Sequence, residues 1–137
     1  MIQAPAPRPC SSCPYRRDVP SGIWATEEYE KLRAYDSETW AQPVELFQCH
    51  QNDHDSDKAR LCAGWVACHG DQLLALRLAI AHQRIDPAVM DYTTPVPLFA
   101  SGAEAAEHGE AGIEAPDDVA CRLIRKITRT RSDVKPR

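Results

Sequence analysis

A chain of 137 residues with 43% hydrophobic side chains suits one compact domain, while 11 prolines and 7% aromatic residues keep its core modest. The net charge of −4 argues against a general polyanion binder, yet the charge is split: residues 1–118 carry 9 Lys+Arg against 19 Asp+Glu, and residues 119–137 carry 7 against a single acid, Asp133. No basic stretch followed by an apolar run opens the chain, and no segment is long and apolar enough to span a bilayer, so the sequence predicts a cytoplasmic protein without a membrane partner.

Residues 1–22 read as loop, because Pro5, Pro7, Pro9, Pro14 and Pro20 forbid a long helix, and residues 1–8 read as a flexible tail. Thr26 is expected to cap a helix over residues 27–34, with Glu27 and Glu28 at its positive end and Tyr29 and Leu32 as its buried pair. Pro43 to Cys49 reads as a short strand or extended segment. Residues 51–60 read as an exposed polar loop; Asp53, Asp55 and Asp57 alternate there, but without the glycine and terminal glutamate of a calcium loop. Leu61 to His69 is expected to form a tight segment around Gly64 and Trp65. Asp71 then caps the clearest helix, Gln72 to Gln83. Leu73, Leu76 and Ile80 share one side and Leu74, Leu78 and Ala81 a neighbouring one, which predicts a central core helix.

Asp86-Pro87 begins a short helical turn. Tyr92 to Phe99 is extended, since Pro95 and Pro97 bar a central strand. Ser101-Gly102-Ala103-Glu104 fits a capping box, with Gly109 able to end that helix. A last helix begins near Pro116, with Val119, Leu123 and Ile127 as its apolar stripe. Arg122, Arg125, Lys126 and Arg129 lie outside the stripe, and residues 130–137 read as a flexible basic tail. The expected fold is a single mainly α domain over 1–137 with irregular, loop-rich segments, a small α+β arrangement being the alternative, organised around a cysteine-rich metal site.

In a reducing cytoplasm six cysteines point to metal binding or catalysis rather than disulfides. Cys10-Ser11-Ser12-Cys13 lets two sulfurs face one ion from a single turn. A redox dithiol is the other use of that spacing, but Pro9 and Pro14 flank the pair and no strand leads into it. Cys49 and Cys62 are the natural further ligands, with Cys68, His50 and His69 as alternates. Cys121 reads as a small buried hydrophobe. The expected cofactor is a 4Fe–4S cluster, held by four cysteines that can be dispersed along the chain; zinc, which favours a tetrahedral set often built from two closely spaced pairs, is the alternative. Arg16 and Arg17 would offset thiolate charge or meet a partner, and Trp24 and Trp65 would shield the site from water.

The functional expectation is a metal-binding protein acting as a structural or redox-sensing binding or regulatory module. A metal- or cluster-dependent enzyme using His50 or His69, and a CxxC thiol redox protein, are the alternatives. The basic last helix, through Arg122, Arg125, Lys126 and Arg129, would meet a nucleic acid or an acidic protein. No catalytic triad, phosphate-binding loop or dinucleotide fingerprint is present.

The run from Pro9 to Trp24, with Phe47-Gln48-Cys49-His50-Gln51, Cys62-Ala63-Gly64-Trp65 and Pro95 to Gly102, resembles a family of small actinobacterial and phage proteins known only as a domain of unknown function. The resemblance covers roughly residues 8–128 and implies a bacterial or phage cytosolic protein, without an activity. The four-cysteine pattern is also loosely similar to WhiB-type cluster regulators, although the spacings and surrounding chain differ.

Overall fold

The computed structural model describes residues 2–49 and 58–130. His50, the aspartates at 53, 55 and 57, and the basic tail expected beyond residue 130 lie outside the described residues. Among the described residues there are five α-helices: α1 Thr26–Ala34, α2 Ala63–His69, α3 Leu74–Ala81, α4 Gly102–Glu110 and α5 Asp118–Thr130. Extended segments meet only at three isolated bridges among the described residues: Gln3 with Arg60, Arg16 with Leu98, and Gln48 with Leu61. The mainly helical expectation therefore holds; the Pro43–Cys49 segment, expected as a strand or extended, bends at Val44 and Glu45 and pairs through the single Gln48–Leu61 bridge.

α1 starts one residue earlier than expected, behind an extended Ala25 that offers no side-chain cap, so Thr26 lies inside the helix. Glu27 and Glu28 in its first turn and Lys31 and Arg33 in its last complement the helix dipole. Tyr29 and Leu32 are buried as predicted. The Tyr29 hydroxyl accepts the backbone N–H groups of Ile23 and Trp24, both at 3.1 Å, which ties α1 to the loop before it.

α4 packs on α1. Its capping box forms in part: Ser101 Oγ accepts the Glu104 N–H at 3.1 Å, while the Glu104 carboxylate accepts the Ala100 N–H at 3.2 Å. Gly109 does not end the helix, which continues to Glu110. Its lack of a side chain serves packing instead, because a Cβ there would collide with the Tyr29 ring. Arg33 Nη2 reaches Glu110 Oε2 at 3.3 Å across the same contact.

The expected tight segment at Leu61–His69 is helical from Ala63, and Gly70, at φ +60°, ends it. α3 is shorter than Gln72–Gln83. Asp71 sits in a 3-10 turn, Gly70–Gln72, and caps nothing; the Leu74 N–H is satisfied by the buried Gln42 side chain at 3.0 Å. The buried face of α3 is Ala75, Leu76 and Ala79, preceded by buried Leu73, whereas Leu78 and Ala81 are exposed. One face alone is covered, so α3 borders the core rather than running through it. The core itself is aromatic: Trp65 lies 5.3 Å from the Tyr35 ring and 6.3 Å from that of Phe47, centroid to centroid.

In α5 the Asp117 carboxylate accepts the Ala120 N–H at 2.7 Å. The covered stripe is Ala120 and Ile127, with Leu123 and Ile124 half-buried; Val119 is 46% exposed, so the stripe is rotated from the expected one. The amino-terminal segment is held at two points. Gln3 donates to Ala59 O at 3.2 Å and accepts from the Leu61 N–H at 3.1 Å, and Tyr92 Oη donates to Ala6 O at 2.7 Å. No helix among the described residues is long and apolar enough to cross a membrane.

Candidate functional site

The Cys10–Cys13 segment closes as a turn, with the Cys13 N–H donating to Cys10 O at 3.0 Å and the Arg16 N–H to Cys13 O at 3.1 Å. Two side chains brace it. Trp24 Nε1 donates to Ser12 O at 3.0 Å, and Arg16 Nη1 to Pro9 O at 2.9 Å. Cys49 and Cys62 come from the two segments bridged at Gln48 and Leu61: the Cys49 N–H donates to Arg60 O at 2.8 Å and the Cys62 N–H to Phe47 O at 3.0 Å. Cys62 immediately precedes α2, and the Trp65 backbone N–H is directed at its sulfur.

These elements bring Cys10, Cys13, Cys49 and Cys62 around one cavity of about 30 Å³. Cys13 and Cys62, 2% and 3% exposed, place their sulfurs 3.8 Å apart. Cys10 Sγ lies 3.6 Å from Ser12 Oγ, and Cys10 and Cys49 are half-buried. Gly64 makes the approach of the turn to α2 feasible, since a Cβ there would lie 2.5 Å from Cys13 Sγ and 2.7 Å from Tyr15 Cβ. No disulfide joins the six cysteines. Among the described residues no three Cys, His, Asp or Glu side chains are drawn together closely enough to hold a metal ion as they lie.

Electrostatics at Cys62 favour the thiol. The hydrogen bond with Cys13, burial and the neighbouring Cys13 and Cys10 sulfurs push the Cys62 thiol well above its ordinary value; the Trp65 N–H acts in the opposite direction. A metal ion held at this sulfur would favour the thiolate instead.

The two described alternates face elsewhere and do not line the cavity. Cys68 donates to Phe99 O at 3.5 Å, and its thiol is pushed up to about 12, chiefly by burial. His69 Nε2 lies 3.0 Å from the Tyr15 hydroxyl and Nδ1 4.0 Å from Asp36 Oδ1. Burial holds its pKa below the ordinary histidine value, with Asp36 opposing. Cys121, half-buried, donates to Pro116 O at 3.7 Å.

Arg16 grips Asp18 through two hydrogen bonds, at 2.7 and 2.8 Å, besides bracing Pro9, and Arg17 lies over the Phe99 ring at 5.6 Å. Both are thus engaged within the chain. Arg122, Arg125, Lys126 and Arg129 are exposed. Trp24 covers the Cys10–Cys13 turn, whereas Trp65 belongs to the aromatic core. Sequence reading missed the Tyr15–His69–Asp36 chain and the position of Arg8 and Arg60 at the cavity wall. Tyr15 follows Cys13-Pro14 directly, which was the one available hint.

A family model described as "Family of unknown function (DUF6283)" matches residues 5–131. No curated protein and no solved structure matches the chain.

Proposed function

The chain belongs to this family of unknown function, and from that premise we propose that it is a small thiolate-metal protein in which Cys10, Cys13, Cys49 and Cys62 enclose a single zinc ion. The observation that carries this reading is the 3.8 Å separation of Cys13 and Cys62 sulfurs in a cavity that all four cysteines line. Zinc–sulfur bonds of about 2.3 Å in a tetrahedron put neighbouring sulfurs about 3.8 Å apart. In a 4Fe–4S cluster each thiolate sits on a different iron, so the sulfurs stand further apart around a larger body. Cys10 and Cys49 complete the set by turning inward from the half-buried rim. The Trp65 N–H directed at Cys62 is the kind of contact that stabilises a bound thiolate.

An ion held by four thiolates has no open position, so its role is structural. It pins the turn, the Gln48–Leu61 bridge and α2 in one arrangement, as befits a binding or regulatory module in a reducing bacterial or phage-infected cytosol. A dithiol enzyme is less well supported, because Pro9 and Pro14 flank the CxxC pair and the turn does not open a helix.

The test is elemental analysis and a visible spectrum of protein purified without oxygen. We expect a colourless protein with one zinc per chain, and loss of that zinc in Cys13→Ser and Cys62→Ser but not in Cys68→Ser. A brown protein containing iron and sulfide would replace zinc with a cluster. A folded protein free of both metals would remove the reading.

A further inference from the structure

Cys13 and Cys62 come from positions 49 residues apart, and their sulfurs stand 3.8 Å from each other. A disulfide needs about 2.05 Å, so closing the pair takes a combined movement of about 1.8 Å, within reach of two side-chain rotations. The backbone on both sides is already fixed. The Arg16 N–H donates to Cys13 O at 3.1 Å and the Cys62 N–H to Phe47 O at 3.0 Å. Gly64 leaves the Cys13 sulfur its room beside α2, since a Cβ there would lie 2.5 Å from it.

Both cysteines are buried, so a reagent must be small and must arrive through the cavity they line. That cavity, of about 30 Å³, is large enough for a water-sized molecule. Ala6, Cys10, Cys49 and Arg60 wall it and also wall a wider concavity of about 610 Å³ on the molecular surface, so the two adjoin along these residues. Hydrogen peroxide suits such a route. A bulky disulfide such as oxidised glutathione does not.

We propose that Cys13 and Cys62 form a redox-modifiable dithiol, which a small hydroperoxide converts to a disulfide with expulsion of any ion the four sulfurs hold. The expulsion rests on the zinc reading; the disulfide does not. The thiolate is the reacting form of each sulfur. One thiolate attacks a peroxide oxygen, the O–O bond breaks, and the departing hydroxide takes up a proton as water. The sulfenic acid left behind is attacked by the second thiolate. The S–S bond forms, the S–O bond breaks, and a second hydroxide leaves as water. The sulfurs give up two electrons, the peroxide accepts them, and zinc departs as the divalent ion with its oxidation state unchanged.

An ion joins four points of the chain, whereas the disulfide joins two. Oxidation therefore keeps the Cys10–Cys13 turn tied to the start of α2 and releases the half-buried Cys10 and Cys49. A reaction in the interior is thus read out at the rim of the site.

The experiment treats the full chain, purified without oxygen, with increments of hydrogen peroxide and then blocks free thiols with an alkylating agent. Intact mass, peptide mapping and released zinc are followed together. The chain is expected to lose the mass of two hydrogen atoms and to regain it with dithiothreitol. Fragmentation places the link between Cys13 and Cys62, and one zinc is released for each link formed. The link persists in Cys68→Ser and Cys121→Ser and is absent from Cys62→Ser. Oxidised glutathione at the same concentration reacts about tenfold more slowly or less, because access limits the exchange.

A link between Cys10 and Cys13, oxygen added to sulfur without any link, or an equal rate with oxidised glutathione would overturn the proposal. Zinc retained by the linked chain would overturn the expulsion. A chain that carries no zinc yet forms the Cys13–Cys62 link would remove the zinc reading and leave the dithiol. A zinc-loaded chain that forms another link, or none, would keep the zinc and remove the dithiol.

Discussion

A methyl group in place of the Gly64 hydrogen would lie 2.5 Å from Cys13 Sγ and 2.7 Å from Tyr15 Cβ, with helix backbone behind it and the buried turn in front. Gly64→Ala is expected to destabilise the protein by about 1–3 kcal/mol, the usual cost of overpacking, and to lower metal affinity with it; urea denaturation and zinc competition measure the two. At the same scale, His69 makes a pH prediction. Burial lowers its folded-state pKa below the ordinary value of about 6.5, so the unfolded chain takes up the proton first as pH falls. Stability attributable to His69 is complete above about pH 6.5 and is lost as pH drops through the window down to the lowered folded value. His69→Gln removes that component, so the difference between wild type and variant in urea midpoint changes across this window; a constant difference would refute it. The four cysteines that line one cavity could be named from the sequence, because Cys10 and Cys13 are closely spaced and cysteine chemistry is distinctive, with Cys68 and His69 as alternates. That helix α2 turns both alternates away from the cavity was not legible, since only the fold fixes that rotation.

Helix α4 shows how an element can be capped from a distance. The Asp36 carboxylate accepts the N–H groups of Gly102 at 2.7 Å and Ala103 at 2.8 Å, two of the donors that a helix start leaves without internal partners. Asp36→Ala should cost about 0.5–2 kcal/mol, read as a lower urea midpoint, with Asp36→Asn retaining part of the loss. Ser101 could be read as a cap because it lies next to its helix. Asp36 is 66 residues from Gly102, and no sequence pattern connects them. The same reason moved the start of α3. Asp71 had the right chemistry and local position, but the Gln42 side chain reaches the Leu74 N–H from 32 residues away. In α5 the helix itself was clear, while its buried stripe was not, because the covering surface selects the small Ala120 over Val119.

For the whole molecule, the thiolate reading links stability to metal. A ligand that binds only the folded chain stabilises it by about 2.7 kcal/mol at a hundred times its dissociation constant. A strong chelator should therefore lower the unfolding temperature of wild type and leave that of Cys13→Ser nearly unchanged; equal shifts in both would count against the site. Helical class and loop-rich character were readable because eleven prolines and short apolar stretches limit what the chain can form. The three bridges were not, for each joins residues too few and too distant to leave a pattern. The pairing of the amino-terminal segment has a further consequence for the order of assembly. Gln3 leaves the ribosome well before its partners Ala59 and Leu61, and Ala6 well before Tyr92. The wall they form beside Cys10 is thus synthesised early and seated late. During that interval the first two sulfurs are exposed to oxidants and stray metal ions, and the nascent chain depends on its surroundings to keep them reduced.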